Sequence, residues 1–212
     1  MSKAIAPCLN RCFLNFLASS LEHFSDESVF AVSFHEKGYG YAKGRFENGF
    51  IVHDPGKEVG KTSNTFWANG GSAVFRRSLW VKLGGMDEKL FSPYYWEDVD
   101  LSYRGAKRGY KILWEPKSKV VHKHGSTISK ISKKRRSRIQ QRNQLLFIWK
   151  NLTSSRMFKK HLSGLTRYTL RHPGYLIILI STVSKILKTI KARKKEKKET
   201  KVSDEAIFAS FS

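Results

Sequence analysis

The run Val29-Phe30-Ala31-Val32-Ser33-Phe34 carries no charge and is rich in β-branched and aromatic side chains. A short apolar segment of that kind reads as a buried strand, and a strand buried on both faces needs helices packed over its sheet. Helical spacing lies just upstream, where Phe13, Leu14, Phe16, Leu17, Leu21 and Phe24 recur over about residues 10–24. Ser72-Ala73-Val74-Phe75-Arg76 follows Gly70-Gly71 and predicts a second strand. Arg77 to Leu83 then predicts a short helix, stopped by Gly84-Gly85.

An aromatic-acidic block, Phe91 to Asp100, leads into a predicted helix that runs to Lys107 and ends at Gly109. Tyr110 to Trp114 and Ser118 to His124 are expected as two strands divided by Glu115-Pro116. Residues 35–65, rich in Gly, Lys and Asn, are expected to be irregular with weak strands. After Gly125 the pattern is helical over roughly 130–152, 156–171 and 173–193, and Ser203-Asp204-Glu205-Ala206-Ile207-Phe208 opens like a small capped helix. The Lys/Glu run 191–201 reads as low-complexity and solvated. The whole predicts an α/β chain with a mixed sheet and flanking helices, followed by a basic helical extension.

Charge divides the chain of 212 residues in the same way. Residues 1–130 hold 19 Lys and Arg against 13 Asp and Glu, whereas residues 131–201 hold 21 against 2. With −2 on the last eleven residues, these parts make up the net charge of +23. Such an extension calls for a polyanion, either nucleic acid or an anionic lipid surface. Nothing resembling a nucleic-acid motif accompanies Lys133-Lys134-Arg135-Arg136, which argues against nucleic acid. The apolar helix from Tyr175 to Ile190, crowded by Lys185, Lys188, Lys191, Arg193 and Lys194, is too short and too charged to span a bilayer. It fits an interfacial helix, or one packed on the domain or on a second copy of itself. The first residues, Met1 to Pro7, lack the apolar core of a secretion signal. Cys8 and Cys12, the only cysteines, read as small buried hydrophobes in a reduced setting rather than a zinc pair. The expected location is cytoplasmic, peripheral on the inner face of the inner membrane.

The candidate chemistry gathers between Phe66 and Thr127. Glu97-Asp98-Val99-Asp100 places three carboxylates at a helix start, where they would complement the dipole or one of them could accept a proton. His122 and His124, two apart on a predicted strand, face the same side and suit either hydrogen bonding or a metal. Asn69-Gly70-Gly71-Ser72 is a turn by composition, and Trp96 is a core residue or an aromatic beside a cleft.

Taken in order, Phe66-Trp67-Ala68-Asn69-Gly70-Gly71-Ser72, Leu83-Gly84-Gly85-Met86-Asp87, Glu97-Asp98-Val99-Asp100, Lys107-Arg108-Gly109-Tyr110 and Val121-His122-Lys123-His124-Gly125 resemble the acceptor-side half of a family 2 glycosyltransferase. The likeness is to the bacterial rhamnosyltransferase kind with the GT-A fold, and it continues through Arg142-Asn143-Gln144 to Val202-Ser203-Asp204-Glu205. It implies transfer of a sugar, with inversion, from a nucleotide-sugar donor to a polysaccharide or lipid-linked acceptor of the cell envelope. It implies Asp98 as the general base, Glu97 in support, and Asn69, Gly70, Gly71 and Trp96 lining the acceptor pocket. It further implies a metal, Mg²⁺ or Mn²⁺, with His122, or alternatively His124, completing its shell.

The resemblance also implies a nucleotide-binding half ending in a metal-holding Asp-x-Asp, and Met1 falls about where that motif belongs. Asp98-Val99-Asp100, the one match by pattern, belongs to the Glu-Asp motif instead. The expectation is therefore a truncated enzyme, or one whose first half is a separate chain, that turns over nothing alone. The domains expected are 1–128 as the partial transferase, 129–193 as the basic helical extension, and 194–212 as a charged linker with a terminal helix. The alternative is an inactive remnant that serves as a binding or scaffold protein on the membrane face.

Overall fold

The computed structural model describes residues 17–121 and 131–211. A four-stranded mixed sheet is built around β1 (Val29–Glu36), in which Phe30, Ala31 and Val32 are wholly buried. Strand β2 (Ala42–Glu47) and β3 (Phe50–Pro55) form a separate antiparallel hairpin, followed by β4 (Ser63–Asn64), β5 (Ala73–Phe75) and β6 (Lys111–Val120). The order in the sheet is β4-β6-β1-β5, with β1 parallel to β6 and antiparallel to β5. The strands expected near 29–34, 72–76, 110–114 and 118–123 thus share one sheet, as far as the described residues reach.

Two expected strands are one. Strand β6 runs through Glu115 and Pro116, and the irregularity falls in the pairing: Phe34 faces Glu115, whereas the next residue, His35, faces Lys119. Pro116 cannot donate to a ladder, and a bulge removes it from the ladder without ending the strand. Glu115 holds the place from inside, accepting hydrogen bonds from His23 Nε2 at 2.7 Å, Thr62 Oγ1 at 2.6 Å and the Lys117 N–H at 3.0 Å.

The stretch expected to be irregular contains the hairpin. Asn48 and Gly49 take the positive φ angles, 52° and 88°, of a tight two-residue turn between facing strands. Its tip is pressed against a later helix, where a Cβ on Gly164 would lie 2.2 Å from the Asn48 carbonyl oxygen.

Helices cover the sheet. α1 (Arg77–Leu83) ends at Gly84 and Gly85, both at positive φ, as expected. A single turn, α2 (Glu88–Phe91), is capped by Asp87, which accepts from the Leu90 N–H. Helix α3 (Glu97–Lys107) is buried from Val99 to Gly105 between the sheet and α4 (Lys133–Asn151). Phe147 of α4 lies 5.3 Å from the Tyr103 ring, and Phe208 of the terminal helix α8 (Asp204–Ala209) lies 6.0 Å from it. The apolar core therefore runs across the boundary expected near residue 128.

Between α4 and α8 stand α5 (Ser155–Arg171), α6 (Leu176–Val183) and α7 (Ile186–Glu199). The single helix expected over 173–193 is two, bent by 71°. No glycine or proline marks the bend; Lys185 there turns inward and donates to the Leu90 carbonyl at 2.6 Å. The run expected to be solvated is helical to Glu199, and its Glu196 is buried in an ion pair with Arg108 at 2.7 Å. No single described helix is long and apolar enough to cross a membrane.

Candidate functional site

The approach to α3 is strained. Tyr95 and Trp96 both have positive φ, 72° and 76°, which costs about 1–3 kcal/mol for each such non-glycine residue. The strain is held from outside by α4. Asn143 Nδ2 lies 2.7 Å from the Phe91 carbonyl oxygen, 2.8 Å from that of Tyr94 and 2.9 Å from that of Tyr95. Arg142 adds a bond to the Ser92 carbonyl at 2.7 Å. Arg142-Asn143 is thus the clamp that fixes the turn into Glu97-Asp98.

Asp98 sits in the first turn of α3, half-buried, with the Val99 N–H donating to its Oδ1 at 2.8 Å and the Gly70 N–H donating to the carboxylate as well. A Cβ built on Gly70 would lie 4.0 Å from the Asp98 Cβ and 2.8 Å from Met86 Cε, so a larger residue there would have to displace the flexible end of Met86. Asn69 shapes the turn: its Oδ1 accepts from the Gly71 N–H at 2.9 Å. Burial, and then the charge of neighbouring Glu97, raise the Asp98 carboxyl to about 7, against the pull of the Val99, Gly70 and Asp98 N–H groups. Glu97 is raised too, by burial. Its Oε2 is buried with no hydrogen-bond partner among the described residues.

Asp100, two residues on, belongs to the framework. Burial alone would raise its carboxyl, but Arg104, Lys150 and Asn151 outweigh this and hold it low. The Arg104 and Lys150 nitrogens lie 2.8 and 2.9 Å from it. Asp98-Val99-Asp100 therefore splits into one carboxylate that is free to act and one locked in an ion-pair network.

Beside Asn69 opens a cavity of about 240 Å³ walled by Tyr39, His53, Trp67, Ser72 and Trp114. Trp67 Nε1 is buried without a hydrogen-bond partner among the described residues. His53 arrives on β3, its ring 5.6 Å from Trp67 and 5.2 Å from Trp96, and burial depresses its basicity. Trp96 does not reach this wall. It is only 6% exposed, packed between His53 and Phe147, because the positive φ before α3 turns it into the core. Trp67, not Trp96, lines the cavity. His53 was missed by sequence reasoning, though the Asn48-Gly49 turn was its signal; Trp67 and Asn143 stand within the resembling segments, but the roles their contacts give them become visible only in three dimensions.

His122 and His124 lie outside the described residues. Among the described residues no group of three or more His, Cys, Asp or Glu could hold a metal ion. With Asp100 engaged by Arg104 and Lys150, the described carboxylates do not fit Mg²⁺ or Mn²⁺, which need several free oxygen ligands. Cys8 and Cys12 also fall outside the described residues.

No family profile matches the chain. Over 56 residues it is 39% identical to the N-acetylglucosaminyl-diphospho-decaprenol L-rhamnosyltransferase of Mycobacterium tuberculosis, in two strains. The match covers 26% of this chain and 18% of the relatives, so the chain spans about a fifth of the length of the curated relatives it matches. Among solved structures it is similar to a crystal structure of GalNAc-T7 with UDP, GalNAc and Mn²⁺, at 15% identity and a TM-score of 0.44, over 72% of this chain and 36% of that one.

Proposed function

We propose that this chain carries the acceptor side of a glycosyltransferase and that Asp98 is its general base. The observation that carries this reading is a carboxylate raised to about 7 and held by the Gly70 N–H, in a turn whose preceding residue, Asn69, lines an aromatic cavity. A base with that affinity for protons is half ionised near neutrality, where it can both take a proton and exist in the form that takes it. The rhamnosyltransferase likeness supplies the reaction class.

In the proposed step the acceptor hydroxyl oxygen attacks the anomeric carbon of a nucleotide-sugar. The new carbon–oxygen bond forms as the bond to the nucleoside diphosphate breaks, and the hydroxyl proton passes to an Asp98 carboxylate oxygen. A single displacement of this kind inverts the anomeric centre. Glu97 keeps Asp98 basic through its nearby charge, and Gly70 and Val99 hold the carboxylate in one orientation. Trp67 offers a ring to the apolar face of a sugar and an indole N–H to one of its hydroxyls. By analogy with the relatives, the acceptor proposed is a prenyl-diphosphate-linked N-acetylglucosamine and the donor a nucleotide-linked deoxyhexose.

Titrating the purified chain with a short-prenyl analogue of that acceptor, followed by tryptophan fluorescence, tests the reading. Trp67→Ala is expected to weaken binding about tenfold, whereas Asp98→Asn leaves affinity within about twofold, because a base acts on the reaction rather than on ground-state binding. An acceptor that does not bind, or binds equally well to Trp67→Ala, overturns it.

A further inference from the structure

Helices α6 and α7 form an elbow whose two sides differ sharply. On the inner side Ile178, Thr182, Thr189 and Glu196 are buried. On the outer side Leu176, Ile177, Ile180, Val183, Leu187 and Ile190 are each at least 44% exposed, and Leu187 reaches 81%. These six are nearly half of the thirteen large apolar side chains exposed among the described residues, and they fall within fifteen residues of chain. A water-soluble surface rarely gathers so much apolar area in one place without a partner for it.

The charge around the elbow narrows what that partner is. Lys188, Lys191, Lys194 and Lys195 are exposed on α7, in the turns that follow the apolar ones. The sequence has no Asp or Glu anywhere from Pro116 to Lys195, a stretch with twenty-two Lys and Arg. A second copy docked on this face would bring these lysines against their own counterparts. Nucleic acid would meet the lysines but leave the apolar row in water. An anionic bilayer meets both, since leucine and isoleucine enter the acyl boundary while lysine heads rest among the phosphates.

We propose that the outer side of the α6–α7 elbow is a docking surface for an anionic phospholipid membrane. The 71° bend prevents the pair from crossing as one straight rod. The proposal rests on this surface alone and stands whether or not the chain transfers a sugar.

The test is flotation of the full 212-residue chain with vesicles of phosphatidylcholine alone and of phosphatidylcholine mixed with phosphatidylglycerol. Partition into the anionic vesicles is expected to be at least about tenfold stronger and to fall as NaCl rises from about 0.1 to about 0.5 M. Ile180→Ser with Leu187→Ser should lower it by roughly tenfold or more, and Lys188→Glu with Lys191→Glu should remove the preference for the anionic vesicles. All four side chains are exposed, so neither variant should change the circular dichroism or the unfolding midpoint. The proposal fails if the chain does not float, if both vesicles bind equally, or if the variants bind like the parent. It also fails if sedimentation shows a dimer that Ile180→Ser with Leu187→Ser dissolves while vesicles are ignored; the occupant is then a second copy.

Discussion

Asn143 Nδ2 sits 2.9 Å from the carbonyl oxygen of Tyr95, so a residue of α4 stabilises the first of two positive-φ residues that open α3. Without Asn143 the strained turn keeps only the Arg142 bond to the Ser92 carbonyl, and the carbonyls of Phe91, Tyr94 and Tyr95 lose this donor. Asn143→Ala is expected to cost about 2–3 kcal/mol in urea unfolding, the penalty for stranding buried polar groups. The variant should also lower sugar transfer by displacing Asp98, with acceptor affinity little changed. A variant as stable as the parent would show that the turn holds itself.

Asp98→Asn separates activity from stability. A carboxyl raised from 3.8 to about 7 is a group whose charge the fold disfavours at neutral pH. Neutralising it should stabilise the chain at pH 7 by about 2 kcal/mol, once solvent screening of a half-buried group is allowed for. Sugar transfer, assayed with a donor-binding glycosyltransferase half supplied in cis or in trans, should fall by about a hundredfold or more. Glu97→Gln should keep activity but move the pH profile of kcat/KM downward, since Glu97 is one cause of the raised value.

Near neutrality the pH dependence of stability has opposing sources, the buried histidines His53 and His161 on one side and the raised carboxyls of Glu97 and Asp98 on the other. His161 is neutral: its Nδ1 donates to the Gly49 carbonyl at 2.6 Å and its Nε2 accepts from Trp149 Nε1 at 2.9 Å. Burial, with a contribution from Arg193, lowers its basicity below 6.5. The unfolded chain therefore holds the extra proton first as pH falls, and this contribution, complete above about 6.5, is lost progressively below it. Asp98 acts in the other sense, because its raised value makes the fold hold more protons than the unfolded chain between about 4 and 7. In an Asp98→Asn background, urea midpoints should rise from about pH 5 to about pH 7.5, and His161→Gln should reduce that rise, leaving the part that His53 supplies.

Asp204 anchors the end of the chain. Its carboxylate accepts from Lys107 Nζ at 2.6 Å, Tyr103 Oη at 2.7 Å, and the N–H groups of Thr153 and Ser154 at 2.7 and 2.6 Å. Asp204→Ala leaves Lys107 buried and unpaired, which is expected to cost about 3–5 kcal/mol. Thermal unfolding checks it; a loss below about 1 kcal/mol would mean that Lys107 finds water instead.

Much of this arrangement was legible in the sequence because its causes are local. β1 and β5 announced themselves by apolar runs, α1 by its Gly-Gly stop, and α8 by Ser203, whose side chain accepts from the Ala206 N–H at 3.1 Å. Asp98 and Gly70 stand in neighbouring motif segments, and the Gly70 N–H donates to the Asp98 carboxylate. What was missed depends on contacts between distant residues. The bend after α6 follows from Lys185 reaching Leu90, ninety-five residues away in sequence, and Glu196 is buried because Arg108 waits for it. Trp96 turned inward because Asn143 fixes a backbone that no local pattern predicts. The β2–β3 hairpin is the exception, since Asn48-Gly49 was a local cue hidden by a Lys- and Gly-rich setting.

The docking of that hairpin on α5 limits which length changes the chain can absorb. Gly164 leaves no room beyond the Asn48 carbonyl, and Gly49 is held by His161, so the tip cannot slide. Side chains alternate along a strand, so one residue inserted between Gly49 and His53 would turn His53 away from Trp67 and Trp96. The same insertion at Val59-Gly60, where a Cβ on Gly60 would meet nothing within 4 Å, disturbs no register. Insertions and deletions among natural variants should therefore collect between β3 and β4 and be absent from β3, a length signature that can be read without any measurement of activity.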